Sequence, residues 1–202
     1  MNLRYQLYCI LRKWSCPFKK IDRVVPQKGK ILDLGCGFGV FSMFLALSAP
    51  KRKVTGIDCE PNRINLAKKY ANNTNINNCF FLNEDIINCN YKGTYDCILL
   101  VDVLYQLTAQ EKTQVIENCR NSLDKDGLLI VKEMDSNPFW KLIWCHIQET
   151  IIARTIKLNN RRIEPLGAVE LAAILRRGGF NVDITKIDKN YPYPHILLIC
   201  RK

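Results

Sequence analysis

One stretch, Ile31-Leu32-Asp33-Leu34-Gly35-Cys36-Gly37-Phe38-Gly39, constrains this chain more than any other. Apolar residues on both sides of Asp33 read as a short parallel strand buried on both faces. The alternating glycines allow φ > 0 and let the backbone approach a ligand with no Cβ in the way. Val40 to Leu47 is apolar and helix-compatible, so the order is strand, tight glycine turn, helix. That order places a nucleotide-like ligand on a helix N-terminus, although the same glycines also close plain strand-to-helix turns.

Val54-Thr55-Gly56-Ile57-Asp58 sharpens the reading, because it is a second apolar strand ending in a carboxylate one helix length later. A Rossmann-type fold places its ribose-hydroxyl acceptor at that point. Position 40 is Val and position 39 is Gly, so the dinucleotide fingerprint Gly-x-Gly-x-x-Gly is not met and NAD is the weaker reading. The run Leu32-Asp33-Leu34-Gly35-Cys36-Gly37-x-Gly39 resembles the first motif of the class I S-adenosylmethionine-dependent methyltransferases. The resemblance covers roughly residues 27–135 and 167–202. It implies an α/β, doubly wound, seven-stranded sheet in the order 3-2-1-4-5-7-6 with the last strand antiparallel. It also implies S-adenosyl-L-methionine as cofactor, S-adenosyl-L-homocysteine as product, and no metal.

The length of 202 residues suits a single domain with one sizeable core. No apolar run approaches the ~20 residues of a membrane-spanning helix, and Arg4, Gln6, Arg12 and Lys13 interrupt any signal-like apolar core at the N-terminus. A cytoplasmic protein is expected. The 10 cysteines show no CxxC pair and no metal-ligand rhythm with the histidines, so free thiols in a reducing compartment are expected. The net charge of +11 is concentrated at the ends, and residues 1–30 carry eight Lys/Arg against Asp22 alone. Basic ends suit an anionic partner (nucleic acid, acidic lipid or anionic substrate) and equally a solvated surface.

Leu3, Leu7, Ile10, Leu11 and Trp14 form a helical stripe over residues 3–15, with basic residues elsewhere on the helix. Such a helix caps the domain or lies on an anionic membrane surface, at the inner face of the membrane. Residues 1–26 are therefore read as an N-terminal helical cap, and Phe18–Lys30 as a basic connector. Further along, Pro61 opens a helix, Cys79–Leu82 and Tyr95–Asp102 are strands, and Thr108 with Glu111 forms a capping-box pattern. Asp126-Gly127 turns into a strand over Leu128–Glu133, Gly167–Arg177 is a helix, and Phe180–Ile187 and His195–Cys200 close the sheet. The count is five βα units and a final strand pair. Residues 136–166 form an insertion read as a helical lid, where Phe139, Trp140 and Trp144 supply an apolar roof for an acceptor. Plain packing on the sheet edge is the competing reading.

The resemblance assigns cofactor contacts to Asp33, Gly35, Cys36, Gly37, Asp58 with the adjacent Cys59, Asp85, Ile86, Val101 and Asp102. Asp33 would lie near the ammonium, Asp58 on the ribose hydroxyls, Asp85 on the adenine amino group, and Val101 and Asp102 beside the methionine moiety. Acceptor contacts are expected from Trp14, Tyr105, Phe139, Trp140 and Trp144. Candidate proton-moving groups are His146, Glu149, Glu133 and Tyr105. Val101-Asp102-Val103-Leu104-Tyr105 lacks the prolines of the base-amine methyltransferases and resembles the small-molecule branch. The leading expectation is methyl transfer to a small hydrophobic (lipid-, acyl- or prenyl-like) acceptor, with nucleic acid disfavoured. Two alternatives stay open: a nucleic-acid or protein methyltransferase docking through the basic ends, and a cofactor-binding scaffold without turnover.

Overall fold

The computed structural model describes residues 3–89, 91, 93–135, 166–191 and 193–202, with side chains from Cys9 onward. The helices are α1 (Leu3–Ser15), α2 (Phe18–Asp22), α3 (Val40–Ser48), α4 (Pro61–Asn73), α5 (Ala109–Ser122) and α6 (Ala168–Arg177). The strands are β1 (Lys28–Leu34), β2 (Lys51–Asp58), β3 (Cys79–Asn83), β4 (Tyr95–Val101), β5 (Leu123–Met134), β6 (Asn181–Lys186) and β7 (His195–Arg201). They form one sheet in the order β3-β2-β1-β4-β5-β7-β6. β1 to β5 run parallel, and β7 runs antiparallel to both β5 and β6. This is the doubly wound α/β sheet that the resemblance implied.

Each interior strand is apolar on both faces, so alternate residues feed two cores. Ile98, Leu100, Leu129 and Val131 pack under α5 and α6. Cys97, Leu99 and Ile130 pack on the opposite face, under α2, α3 and α4. The capping box of α5 is formed: Glu111 N–H donates to Thr108 Oγ1 at 3.3 Å, and Thr108 N–H donates to Glu111 Oε2 at 2.7 Å. Every described cysteine is a free thiol.

Three expectations need correction. The connector Phe18–Lys30 contains α2, because Phe18 and Ile21 lie on one helical face and both enter the second core, with Phe18 4.7 Å from the Phe41 ring. The fifth strand starts at Leu123, and Asp126-Gly127 lies within it, beside a register shift between Tyr95 and Cys97 of β4. The count of five βα units also fails. Among the described residues no helix links β3 to β4. A turn at Ile86–Asn88 replaces it, capped by Asp85 and anchored by the buried Tyr91, whose hydroxyl donates to Ile86 O. Short polar side chains that bond their own backbone favour turns over helix.

Candidate functional site

The carboxyl ends of β1, β2, β4 and β5 converge on the glycine loop. Gly35, Gly37 and Gly39 have φ of 71°, 57° and 70°, a conformation that side chains other than glycine rarely adopt. Gly35 N–H and Cys36 N–H both donate to Ile57 O, at 2.8 and 2.9 Å. Gly37 N–H donates to Asp58 Oδ2 at 2.9 Å, and Glu60 N–H donates to Asp58 Oδ1 at 2.9 Å. The loop after β1 is thus stitched to the end of β2, and the Asp58 carboxylate is held in one orientation. A carboxylate has about four acceptor positions, so both oxygens retain capacity for a ligand.

Strand parity sorts the remaining charged groups. Asp33, Lys132 and His195 share the face of Ile31, Ile130 and Leu197, the side on which α1 docks. Asp33 is buried and accepts the Ser42 hydroxyl, and burial pushes its carboxyl up to about 6. Lys132 is 1% exposed and forms an ion pair with Asp102. Arg12 of α1 reaches the other oxygen of Asp102 at 2.7 Å. Burial works against the charge on Asp102, but Lys132 and Arg12 outweigh it and hold the group below the usual carboxylate range. His195 Nε2 lies 2.8 Å from Ser15 O, so that nitrogen carries the proton and donates. Burial first, then the Lys132 charge, lowers the imidazole to about 3 and keeps it neutral.

Glu133 points to the opposite face. It is 4% exposed, and its Oε1 accepts Val103 N–H at 3.0 Å and Leu104 N–H at 2.7 Å. Burial, then the charge of Asp102, raises its carboxyl to about 8. Near neutral pH it therefore holds a proton rather than removing one, and it anchors the turn that carries Tyr105. Its Oε2 is buried without a hydrogen-bond partner. Leu104, Tyr105, Glu133, Met134, Leu166 and Leu171 line a small cavity there.

The other predicted residues are dispersed along the rim. Val101 and Ile86 are buried core residues, and Cys59 is exposed beside Asp58. Cys36 is partly buried, and burial holds its thiol well above the ordinary value. Asp85 is exposed, with Oδ1 accepting Ile87 N–H and Oδ2 accepting the Asn88 amide. Trp14 is 60% exposed and Ile10 64% exposed. Of the apolar stripe of α1, Ile10, Leu11 and Trp14 thus face away from the sheet. The docked face carries Cys9, Arg12 and Ser15, because the strand ends below present charged and polar partners. Phe139, Trp140, Trp144, His146 and Glu149, and the side chains of Leu3 and Leu7, lie outside the described residues. Arg12 and Lys132 were not anticipated as site residues. The available signal was Lys132 itself, a charge in register with the buried Ile130, which demands a partner.

Comparison with known proteins decides the family, since residues 27–189 match the one described as a methyltransferase domain. The chain belongs to the class I S-adenosylmethionine-dependent methyltransferases. This methyltransferase domain is 29% identical over 156 residues to carboxy-S-adenosyl-L-methionine synthase of Campylobacter hominis, covering 75% of this chain and 61% of the relative. It is 33% identical over 113 residues to malonyl-[acyl-carrier protein] O-methyltransferase of Bacillus anthracis, covering 56% of this chain and 40% of the relative. It therefore spans less than two thirds of the length of either protein. Among solved structures, the pyocyanin biosynthetic protein PhzM superposes with a TM-score of 0.78 at 17% identity, over 98% of this chain and 57% of that one. That likeness establishes the fold.

The rim of this domain fits the family's cofactor chemically. Asp58 offers an oriented acceptor for vicinal hydroxyls, and the three left-handed glycines leave bare backbone for close approach. Asp33, Asp102 and Arg12 supply both signs of charge for an amino-acid end. Among the described residues, no cluster of His, Cys, Asp and Glu is arranged to hold a metal ion.

Proposed function

We propose that this chain binds S-adenosylmethionine at the carboxyl end of its sheet and methylates a small hydrophobic acceptor of lipid, acyl or prenyl type. One observation carries the cofactor reading: Asp58 accepts the N–H of Gly37, so the ribose acceptor and the glycine loop form one preorganised unit. Gly35, Cys36 and Gly37 would present backbone to the cofactor, Asp58 its ribose, Asp33 and Asp102 its amino-acid end, and Ile86 its adenine. When bound, the cofactor supplies an already activated methyl on a sulfonium, which leaves the protein chiefly the task of alignment. Tyr105 borders the acceptor, positioned through Glu133. The acyl substrate named for the Bacillus relative supports an acyl-type acceptor. Among the described residues no helix is long and apolar enough to cross a membrane. The exposed Ile10, Leu11 and Trp14 beside exposed Lys13, Lys19 and Arg23 support a peripheral seat on an anionic membrane at its cytoplasmic face.

Isothermal titration with S-adenosylhomocysteine tests the cofactor, and NADH binding in its place would overturn the reading. Incubation with methyl-labelled S-adenosylmethionine and a lipid extract tests the acceptor. Label should pass into the organic phase, and label confined to water-soluble products would rule the hydrophobic class out. Flotation with phosphatidylglycerol vesicles tests the membrane seat, with retention that fades as salt screens the charges.

A further inference from the structure

Parallel strands are usually buried on both faces, because their crossover helices cover them. Over β2 and β3 the cover is one-sided. α3 and α4 pack on the side of the second core, whereas on the other side α5 rests on β5 and α6 on β6 and β7. The link from β3 to β4, residues 84–94, carries a turn among its described residues where a further helix would lie. Register names what this leaves bare. Lys28 lies beside Lys51 and Lys30 beside Lys53, on the face of Leu32 and Leu34, and these four lysines are exposed. On β3, Phe80 and Leu82 take the same face and are 44% and 42% exposed. Lys53 Nζ sits 5.4 Å from the Phe80 ring centre, so the lysine block and the apolar strip are continuous.

We propose that the bare face of β1, β2 and β3 docks an acidic amphipathic helix of a partner protein. Lysines that guard a sheet against stray pairing stand on its edge strand. Here the edge strand β3 carries Phe80 and Leu82, and the lysines stand on the interior strands β1 and β2. Neighbouring strands lie about 4.8 Å apart and alternate residues about 6.7 Å apart, so like charges are packed side by side at a cost. Among the described residues none of the four pairs with a carboxylate. Asp96, the acid on the same face of β4, already accepts the Lys30 backbone N–H at 2.7 Å. A helix seated in the place of the absent crossover would set its apolar stripe on Phe80 and Leu82 and its carboxylates on the lysines. Single-stranded nucleic acid is the poorer fit, because bases stack on open ring faces and Lys53 lies over the Phe80 ring. The lysine block is at the amino ends of β1 and β2, opposite the glycine loop, so the proposal stands apart from the cofactor reading.

The test is fluorescence anisotropy of the full chain with a labelled helical peptide that carries a leucine stripe flanked by glutamates. Binding should saturate and weaken with salt. A peptide of the same composition, scrambled to break the stripe, should bind at least about tenfold more weakly. Lys51→Glu with Lys53→Glu should weaken the striped peptide by about tenfold or more, since carboxylate then meets carboxylate. Lys28→Glu with Lys30→Glu is the second variant if the first folds poorly, and circular dichroism matching the unaltered protein establishes the fold of each. No saturable binding of the striped peptide would overturn the proposal, as would equal binding of the scrambled one or indifference to both lysine variants. Tighter binding of a uridine oligonucleotide would assign the face to nucleic acid instead. Retention on phosphatidylglycerol vesicles that vanishes in the lysine variants would assign it to membrane, and either result overturns the helix.

Discussion

Glu133 Oε1 accepts the backbone N–H of Leu104 at 2.7 Å, joining the end of β5 to the turn that follows β4. A carboxyl at that position carries a pH signature. Burial and the Asp102 charge raise it from 4.5 to about 8, so the folded protein holds a proton that the unfolded chain has released. Its contribution is greatest below about pH 4.5 and is lost as pH rises through 8. Asp33, raised to about 6, acts in the same direction at lower pH, and His195, lowered to about 3, acts in the opposite direction. Glu133→Gln keeps the acceptor oxygen and removes the titration. In urea unfolding from pH 5 to pH 8.5, the variant should escape a loss on the order of 2–4 kcal/mol that the unaltered protein shows. Parallel pH profiles would show that Glu133 does not titrate in this window.

The Asp58 carboxylate holds Gly37 and Glu60 and is proposed to hold the cofactor ribose. Asp58→Ala should weaken S-adenosylhomocysteine binding by ~1.5–3 kcal/mol, the range for hydrogen bonds to a charged group. Asp58→Asn should fall between, since one amide oxygen still accepts. Calorimetric titration reads both, and full affinity in the Ala variant would remove Asp58 from the site.

Gly39 begins α3 at φ 70°, and a Cβ there would come within 3 Å of the Phe81 ring. Gly39→Ala adds a left-handed penalty of roughly 1–2 kcal/mol to that overlap, so a loss of about 2–4 kcal/mol is expected. Thermal unfolding should show a clearly lowered midpoint, and a midpoint within a degree or two of the unaltered protein would contradict the packing described.

Arg52 is buried at the opposite end of the sheet, 1% exposed, where it donates to Pro26 O at 2.7 Å, Val25 O at 3.0 Å and Leu45 O at 3.1 Å and pairs with Asp22. It closes the carbonyls at the end of α3 and in the segment leading into β1. Arg52→Ala strands those acceptors together and should cost about 3–5 kcal/mol. Denaturant unfolding reads the loss, while S-adenosylhomocysteine affinity measured below the transition should hold, because Arg52 lies far from the rim.

Local chemistry made the strand, glycine turn and helix of residues 31–48 legible, since residues other than glycine rarely adopt the φ values at 35, 37 and 39. The capping box at Thr108 and Glu111 was equally legible, because every partner lies within one helical turn. Sheet order followed from resemblance rather than from residue pattern. Other features depended on distance in sequence. The i, i+4 spacing of Ile10 and Trp14 describes a helix face but not which way it turns, and that was settled by Asp102, some ninety residues away, drawing Arg12 inward. Lys132 and Glu133 are adjacent and alike in being charged, yet parity sends one to α1 and the other to the turn bearing Tyr105. A buried charge is tolerable only where its partner waits, and those partners are brought together by the tertiary fold alone.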